Sequence, residues 1–134
     1  MRTYALIPAY NEERTIKKVA TEVKQYVDQV IVVDDGSQDK TSLEVPPERD
    51  GVILLRHIVN RGQGAAIQTG LDFIKLQASS LKFQDYAVVT FDADGQFEAS
   101  EIPKLVEPLK SGAADVVLGS RFIGKALNIP RTKK

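Results

Sequence analysis

Apolar residues along this chain alternate between two periods. Short apolar runs at Thr3 to Ile7, Val30 to Val33, Val52 to Leu55, Tyr86 to Phe91 and Val116 to Leu118 read as five strands. Val30 to Val33 is β-branched and lacks polar alternation, the mark of a strand buried on both faces in a parallel sheet. Between the strands, apolar positions recur at helical spacing. Ile16, Val19, Ala20, Val23, Tyr26 and Val27 mark a first helix. Ile67, Leu71, Ile74 and Ala78 mark a second, from Gly64 to about Ala78, and Ile102, Leu105, Val106 and Leu109 a third. Asn11 is placed to cap the first helix, with Glu12 and Glu13 in its first turn. Pro108 falls inside the third and is expected to kink or loosen it, since proline cannot donate to the carbonyl of Lys104.

Strand and helix in strict alternation predict right-handed βαβ crossovers and a doubly wound, mostly parallel sheet. The polar stretch around Pro46-Pro47 reads as a loop. Residues 124–134, ending in Pro130-Arg131-Thr132-Lys133-Lys134, read as a basic tail without core signal, leaving 1–123 as one folded unit.

Composition narrows the chemistry. With 134 residues, 43% of them hydrophobic and 27% charged, the chain can bury one domain's core. Its net charge is zero, so no global field draws it to nucleic acid or anionic lipid. It has no cysteine, which excludes disulfides and thiolate metal sites. One histidine, His57, makes a zinc centre a poor fit. A Ser–His nucleophile through His57 is formally available, but its place at a strand end reads as a satisfied structural histidine. The opening apolar run meets Asn11-Glu12-Glu13-Arg14 too soon for a secretory leader, and no run approaches the ~18 residues of a spanning helix.

Carboxylates and glycines gather where the predicted strands end, which is where open α/β sheets bind ligands. Asp92-Ala93-Asp94 follows the fourth strand. In an extended segment, side chains two apart point the same way, so both carboxylates can face one hard cation such as magnesium or manganese. The chain has ten aspartates, so the spacing alone is weak and its position carries the argument. Asp34-Asp35-Gly36-Ser37 ends the second strand. Two adjacent carboxylates there need partners, and a ribose or nucleobase would serve, as would a tight Asp-Gly turn. Tyr10 can stack on a base and Glu12 can accept from a base or ribose. Gly62-Gln63-Gly64 resembles a phosphate-approach loop weakly, with Ile67 where a dinucleotide fingerprint has its third glycine. Arg121, after the fifth strand, can clamp a diphosphate.

Five blocks in order, IPAYNEE, VVDDGSQDKT, NRGQGAAIQTG, FDADGQ and GSRF, together resemble the family 2 glycosyltransferases of the GT-A fold, nearest the dolichol-phosphate (polyprenyl-phosphate) mannosyltransferase branch. They span Ile7 to Phe122. The resemblance implies a Rossmann-like three-layer α/β/α domain, here incomplete on its C-terminal side. It implies nucleotide-sugar binding by Pro8, Tyr10, Glu12, Val33, Asp35, Asp92, Ala93, Asp94 and Arg121. Metal would be held by Asp92, Asp94 and Gln96, with Asp94 and Arg121 at the reaction centre. The implied cofactor is Mg2+ or Mn2+ and the implied donor a GDP- or UDP-sugar. Polyprenyl phosphate is the implied acceptor, at a cytoplasmic site on the inner membrane face. Relatives often carry a basic residue at Gln63, and they continue well past Pro130. The chain therefore reads as the donor-binding half of such an enzyme.

The expected reaction is an inverting, metal-dependent sugar transfer. A donor-binding remnant without turnover, and transfer to a saccharide hydroxyl, remain open beside it, as does a receiver-like α/β domain with Asp34-Asp35 as its acidic cluster. A glycosidase fits poorly: Asp92 and Asp94 adjoin, whereas hydrolases flank the bond with carboxyls about 5 to 9 Å apart.

Overall fold

The computed structural model describes residues 2–82, 85–95, 98–110, 116–119 and 126–129, the last two segments and 108–110 by backbone alone. The strands are β1 (Arg2–Ala9), β2 (Gln29–Asp35), β3 (Val52–His57), β4 (Tyr86–Thr90), β5 (Val116–Gly119) and β6 (Ala126–Ile129). The helices are α1 (Ile16–Lys24), a single turn α2 (Thr41–Glu44), α3 (Gln63–Ser80) and α4 (Ile102–Lys110). One six-stranded sheet runs in the order β3-β2-β1-β4-β5-β6. The pairings from β3 through β5 are parallel. Chain order reverses at β1, so the gap between β1 and β4 is a topological switch point.

Strand alternation in β1 separates two cores. Ala5, Ile7 and Ala9 face α1 and α4, packing with Ile16, Val19, Val23, Ile102 and Leu105. Tyr4 and Leu6 face α3, packing with Ile31, Val33, Ala66 and Ile74. The result is the three-layer α/β/α arrangement.

Three details depart from the sequence reading. The face that α3 buries is Ala66, Gly70, Ile74 and Ala78, with Ile67 and Leu71 flanking it. Small residues win because the helix lies so close to β1 that a Cβ on Gly70 would sit 2.1 Å from Leu6 Cδ1. Helix α1 begins at Ile16 behind Thr15, not after Asn11, whose φ of 52° is left-handed. The amides of Asn11, Glu12 and Glu13 bond instead to Ser37 Oγ, Thr41 Oγ1 and Asp39 Oδ2 of the segment from the end of β2 to the start of α2. Helix α4 runs through Pro108 to Lys110, the span its apolar spacing predicts. The segment read as a basic tail contributes β6, antiparallel to β5, whose backbone it pairs as an edge strand.

The loop after β2 turns at Gly36, with φ of 74°, directly against the loop after β3: a Cβ there would lie 2.4 Å from Asn60 N and Val59 C. Gly64, in the first turn of α3, has open space around it. Gly36→Ala should therefore destabilise the fold by about 2–4 kcal/mol, combining left-handed strain with a backbone clash. Gly64→Ala should stabilise it by about 0.5 kcal/mol. Urea denaturation of both variants checks this. Equal effects would mean that the two loops are not in contact.

Candidate active site

The site exists because the sheet opens. The Phe91 amide donates to the Leu6 carbonyl at 3.0 Å, and pairing of β1 with β4 ends at Leu6–Thr90. In a parallel ladder the next bond would run from the amide of residue 8 to the carbonyl of Phe91. Residue 8 is proline and has no N–H. Strand β1 stays paired with β2 as far as Ala9–Asp34, while the chain after β4 turns away. A cavity of about 300 Å³ fills the crevice, lined among others by Pro8, Tyr10, Glu12, Asp35, Asp92 and Asp94.

Most of the expected residues fall within the described part of the chain. Tyr10 is 43% exposed at the cavity edge, where a ring can stack on a planar ligand. Asp92, Ala93 and Asp94 all line the cavity. Here the extended-strand argument does not hold: β4 stops at Thr90, and Ala93 and Asp94 form a turn closed by Gly95 at φ of 80°. The turn is tied to the entry of α1 by Thr15, whose hydroxyl donates to the Ala93 carbonyl at 2.5 Å. Val33 is fully buried in the core under α3, and its side chain does not line the cavity. Gln96 and Arg121 lie outside the described residues.

Asp34 and Asp35 point to opposite faces of β2, as strand alternation requires, and only Asp35 has both carboxylate oxygens hydrogen-bonded, Asp34 Oδ2 being buried without a hydrogen bond. Asp34 Oδ1 accepts the Ser37 amide at 3.0 Å, and its Oδ2 faces Arg56 Nε at 3.8 Å. Asp35, 3% exposed, accepts from Arg61 N at 2.9 Å, Gly62 N at 2.8 Å and His57 Nδ1 at 2.7 Å. Burial opposes its charge, but these three donors outweigh that and hold its pKa below the ordinary value. His57 is thus the satisfied histidine its position implied, with Nε2 against Thr69 Oγ1 at 2.8 Å. Asp, His and Thr also make up hydrolytic triads, yet neither His57 nor Thr69 lines the cavity, so this hydroxyl meets no substrate there.

Glu12 is the electrostatic counterpart. Burial first, then the charges of Asp94, Asp39 and Asp92, push its pKa upward, against a lowering bond from Thr15. Three neighbouring carboxylates thus add to burial in disfavouring a negative charge on Glu12. Among the described residues no three acidic or imidazole groups converge into a complete cage. Two cavity-lining carboxylates, Asp92 and Asp94, nonetheless suit a hard cation that takes its remaining ligands from substrate phosphates and water, as magnesium sites commonly do. The residues that sequence reasoning missed are Asn60, Thr15 and Thr69. Asn60 and Thr69 lie within a quoted block, but nothing local marks Thr15.

The family model described as Glycosyl transferase family 2 matches residues 4–133. A UDP-N-acetylglucosamine–dolichyl-phosphate N-acetylglucosaminyltransferase of Methanococcus voltae is 35% identical over 98% of this chain and 57% of its own length. The dolichol-phosphate mannosyltransferase of Pyrococcus furiosus is 30% identical over all of this chain and 38% of its own length. Among solved structures, Mycobacterium tuberculosis glucosyl-3-phosphoglycerate synthase with Mn2+, UDP-glucose and phosphoglyceric acid superposes with a TM-score of 0.57 at 26% identity, over 83% of this chain and 40% of that one. The chain spans about half the length of the relatives it matches first.

Asp35→Asn would set an amide NH2 among three donors and should cost about 2–3 kcal/mol at pH 7. Because Asp35 has a lowered folded pKa, its contribution is complete above the ordinary value and is lost as pH falls through the folded one. The gap between wild type and variant should thus narrow below about pH 4. Denaturation midpoints at pH 7 and pH 3 measure it, and a constant gap would exclude the ionised carboxylate as its source.

Proposed function

The chain belongs to glycosyl transferase family 2, and on that footing we propose that it binds a nucleotide-diphosphate sugar with Mg2+ or Mn2+ and serves inverting transfer of the sugar to a polyprenyl phosphate. The observation that carries this reading is the gathering of Tyr10, Glu12, Asp35, Asp92 and Asp94 around one crevice at the switch point of the sheet. Named relatives act on dolichyl phosphate, and a structural neighbour holds UDP-glucose and Mn2+, which supports both substrate classes.

In this reading Tyr10 stacks on the base, Asp35 accepts a base N–H, and Glu12 accepts from a donor hydroxyl. Asp92 and Asp94 hold the cation, with Gln96 as a further ligand. Bound there, the cation offsets the charge that develops on the departing diphosphate. Arg121 adds positive charge beside the phosphates. A polyprenyl phosphate, with a second pKa of about 6, is mostly a dianion at neutral pH, so its oxygen attacks without a general base. The anomeric carbon gains that oxygen as the nucleoside diphosphate leaves from the opposite face. No described helix is long and apolar enough to cross a membrane. In this reading the lipid acceptor, which named relatives use, is met at the cytoplasmic membrane surface.

The test is calorimetric titration of the chain with UDP and GDP, each with and without Mn2+, paired with a transfer assay that separates binding from turnover. One nucleotide should bind more tightly than the other, and only with the cation. Asp94→Asn should weaken that binding about 10-fold or more and cut any transfer about 100-fold or more. A folded chain that binds neither nucleotide, or an Asp94→Asn protein of full activity, would overturn the reading.

A further inference from the structure

Asp35 carries a constraint that its partners impose. A carboxylate offers about four acceptor positions, two per oxygen. Oδ1 is filled twice, by His57 Nδ1 and the Arg61 amide, and Oδ2 once, by the Gly62 amide. One acceptor position is left, on Oδ2, in a side chain that still lines the cavity. The backbone amides cannot be altered by side-chain choice, but His57 can. The acceptor-only carboxylate requires a proton on Nδ1, so in neutral His57 Nε2 is an acceptor and the Thr69 hydroxyl donates to it. Thr69 sits on α3, whose packing against β1 is set by Gly70 beside it.

We infer that His57, braced by Thr69, is a positioning residue that makes Asp35 a one-point acceptor, so that the site takes a base presenting a single imide N–H, of the uracil kind, in preference to guanine. Guanine presents N1–H and an adjacent N2 amine, and a two-point grip on that edge needs a free position on each carboxylate oxygen. With Oδ1 filled, such a grip is unavailable. A uracil-type edge presents one N–H between two carbonyls, which asks one acceptor of Asp35. Its carbonyls need donors, and Asn60 lines the same cavity. The inference deepens the proposed function and rests on nucleotide binding at this cavity.

The test uses the same chain and three probes, UDP, GDP and inorganic pyrophosphate, each with Mn2+. Wild type should prefer UDP over GDP about 10-fold or more, the difference of one or two charge-assisted hydrogen bonds. His57→Asn places an amide N–H where Nδ1 stands and should keep that preference. His57→Gln, which reaches Thr69 but not Asp35, and His57→Phe should weaken UDP about 10-fold and lose the preference. Thr69→Val should weaken UDP about threefold. None should change pyrophosphate binding, which a general loss of structure would remove. His57→Gln and Thr69→Val keep the question answerable if His57→Phe does not fold. A wild type that prefers GDP, or His57→Gln and His57→Phe proteins with unchanged UDP-to-GDP ratios, would overturn the inference while leaving nucleotide binding intact. A folded wild type that binds neither nucleotide would instead remove the proposed function beneath it.

Discussion

The missing amide proton of Pro8 sets where the sheet stops being a sheet. Up to Leu6, β1 is bonded on both sides; beyond it, only the β2 side continues. One absent donor lets the chain after Thr90 leave the plane and turn. The crevice thus opens at the point where strand order also reverses, so the ligand-sized gap and the loops that line it share one origin. Proline is usually unwelcome in a central strand because it removes a ladder bond. Here that removal is what makes room.

The loops around the crevice hold one another rather than the sheet alone. The amides of Asn11, Glu12 and Glu13 are claimed by side chains of the segment from the end of β2 to the start of α2, and Asn11 Oδ1 accepts the Gln38 amide in return. Gly36 lets that loop lie against residues 59 and 60. Thr15 links the start of α1 to the Ala93 carbonyl between the two aspartates. Loop segments that would each be soft alone become one frame, as a binding site with little reorganisation requires.

Charge is distributed unevenly within that frame. Asp35 is stabilised as an anion by three donors, whereas Glu12 is burdened by burial and by Asp94, Asp39 and Asp92. A site built this way favours ligands that bring positive charge to the Asp92–Asp94 side and hydrogen-bond donors to the Asp35 side. A cation with a nucleoside diphosphate meets both demands.

The strands, α1, α4 and the parallel architecture were legible because strands buried on both faces show as unbroken apolar runs and surface helices as 3.6-residue periods, both local properties. The carboxylate positions at strand ends were legible for the same reason, and the ordered blocks tied them to a family. The buried face of α3 was not, because period alone does not say which of two adjacent stripes can approach a strand; the missing side chain of Gly70 against Leu6 decides it. Nor was the late start of α1, since its would-be capping amides are taken by residues more than twenty positions away. The short, polar-flanked β6 showed no periodicity, and only pairing with β5 makes it a strand. Asp35 could be named from its motif, but that His57, Arg61 and Gly62 occupy three of its acceptor positions is a consequence of β2, β3 and α3 meeting in space. Local sequence determined which elements form and where acidic side chains emerge; the tertiary structure alone decided which of their lone pairs remain for a ligand, because hydrogen bonds between distant segments leave no trace in local pattern.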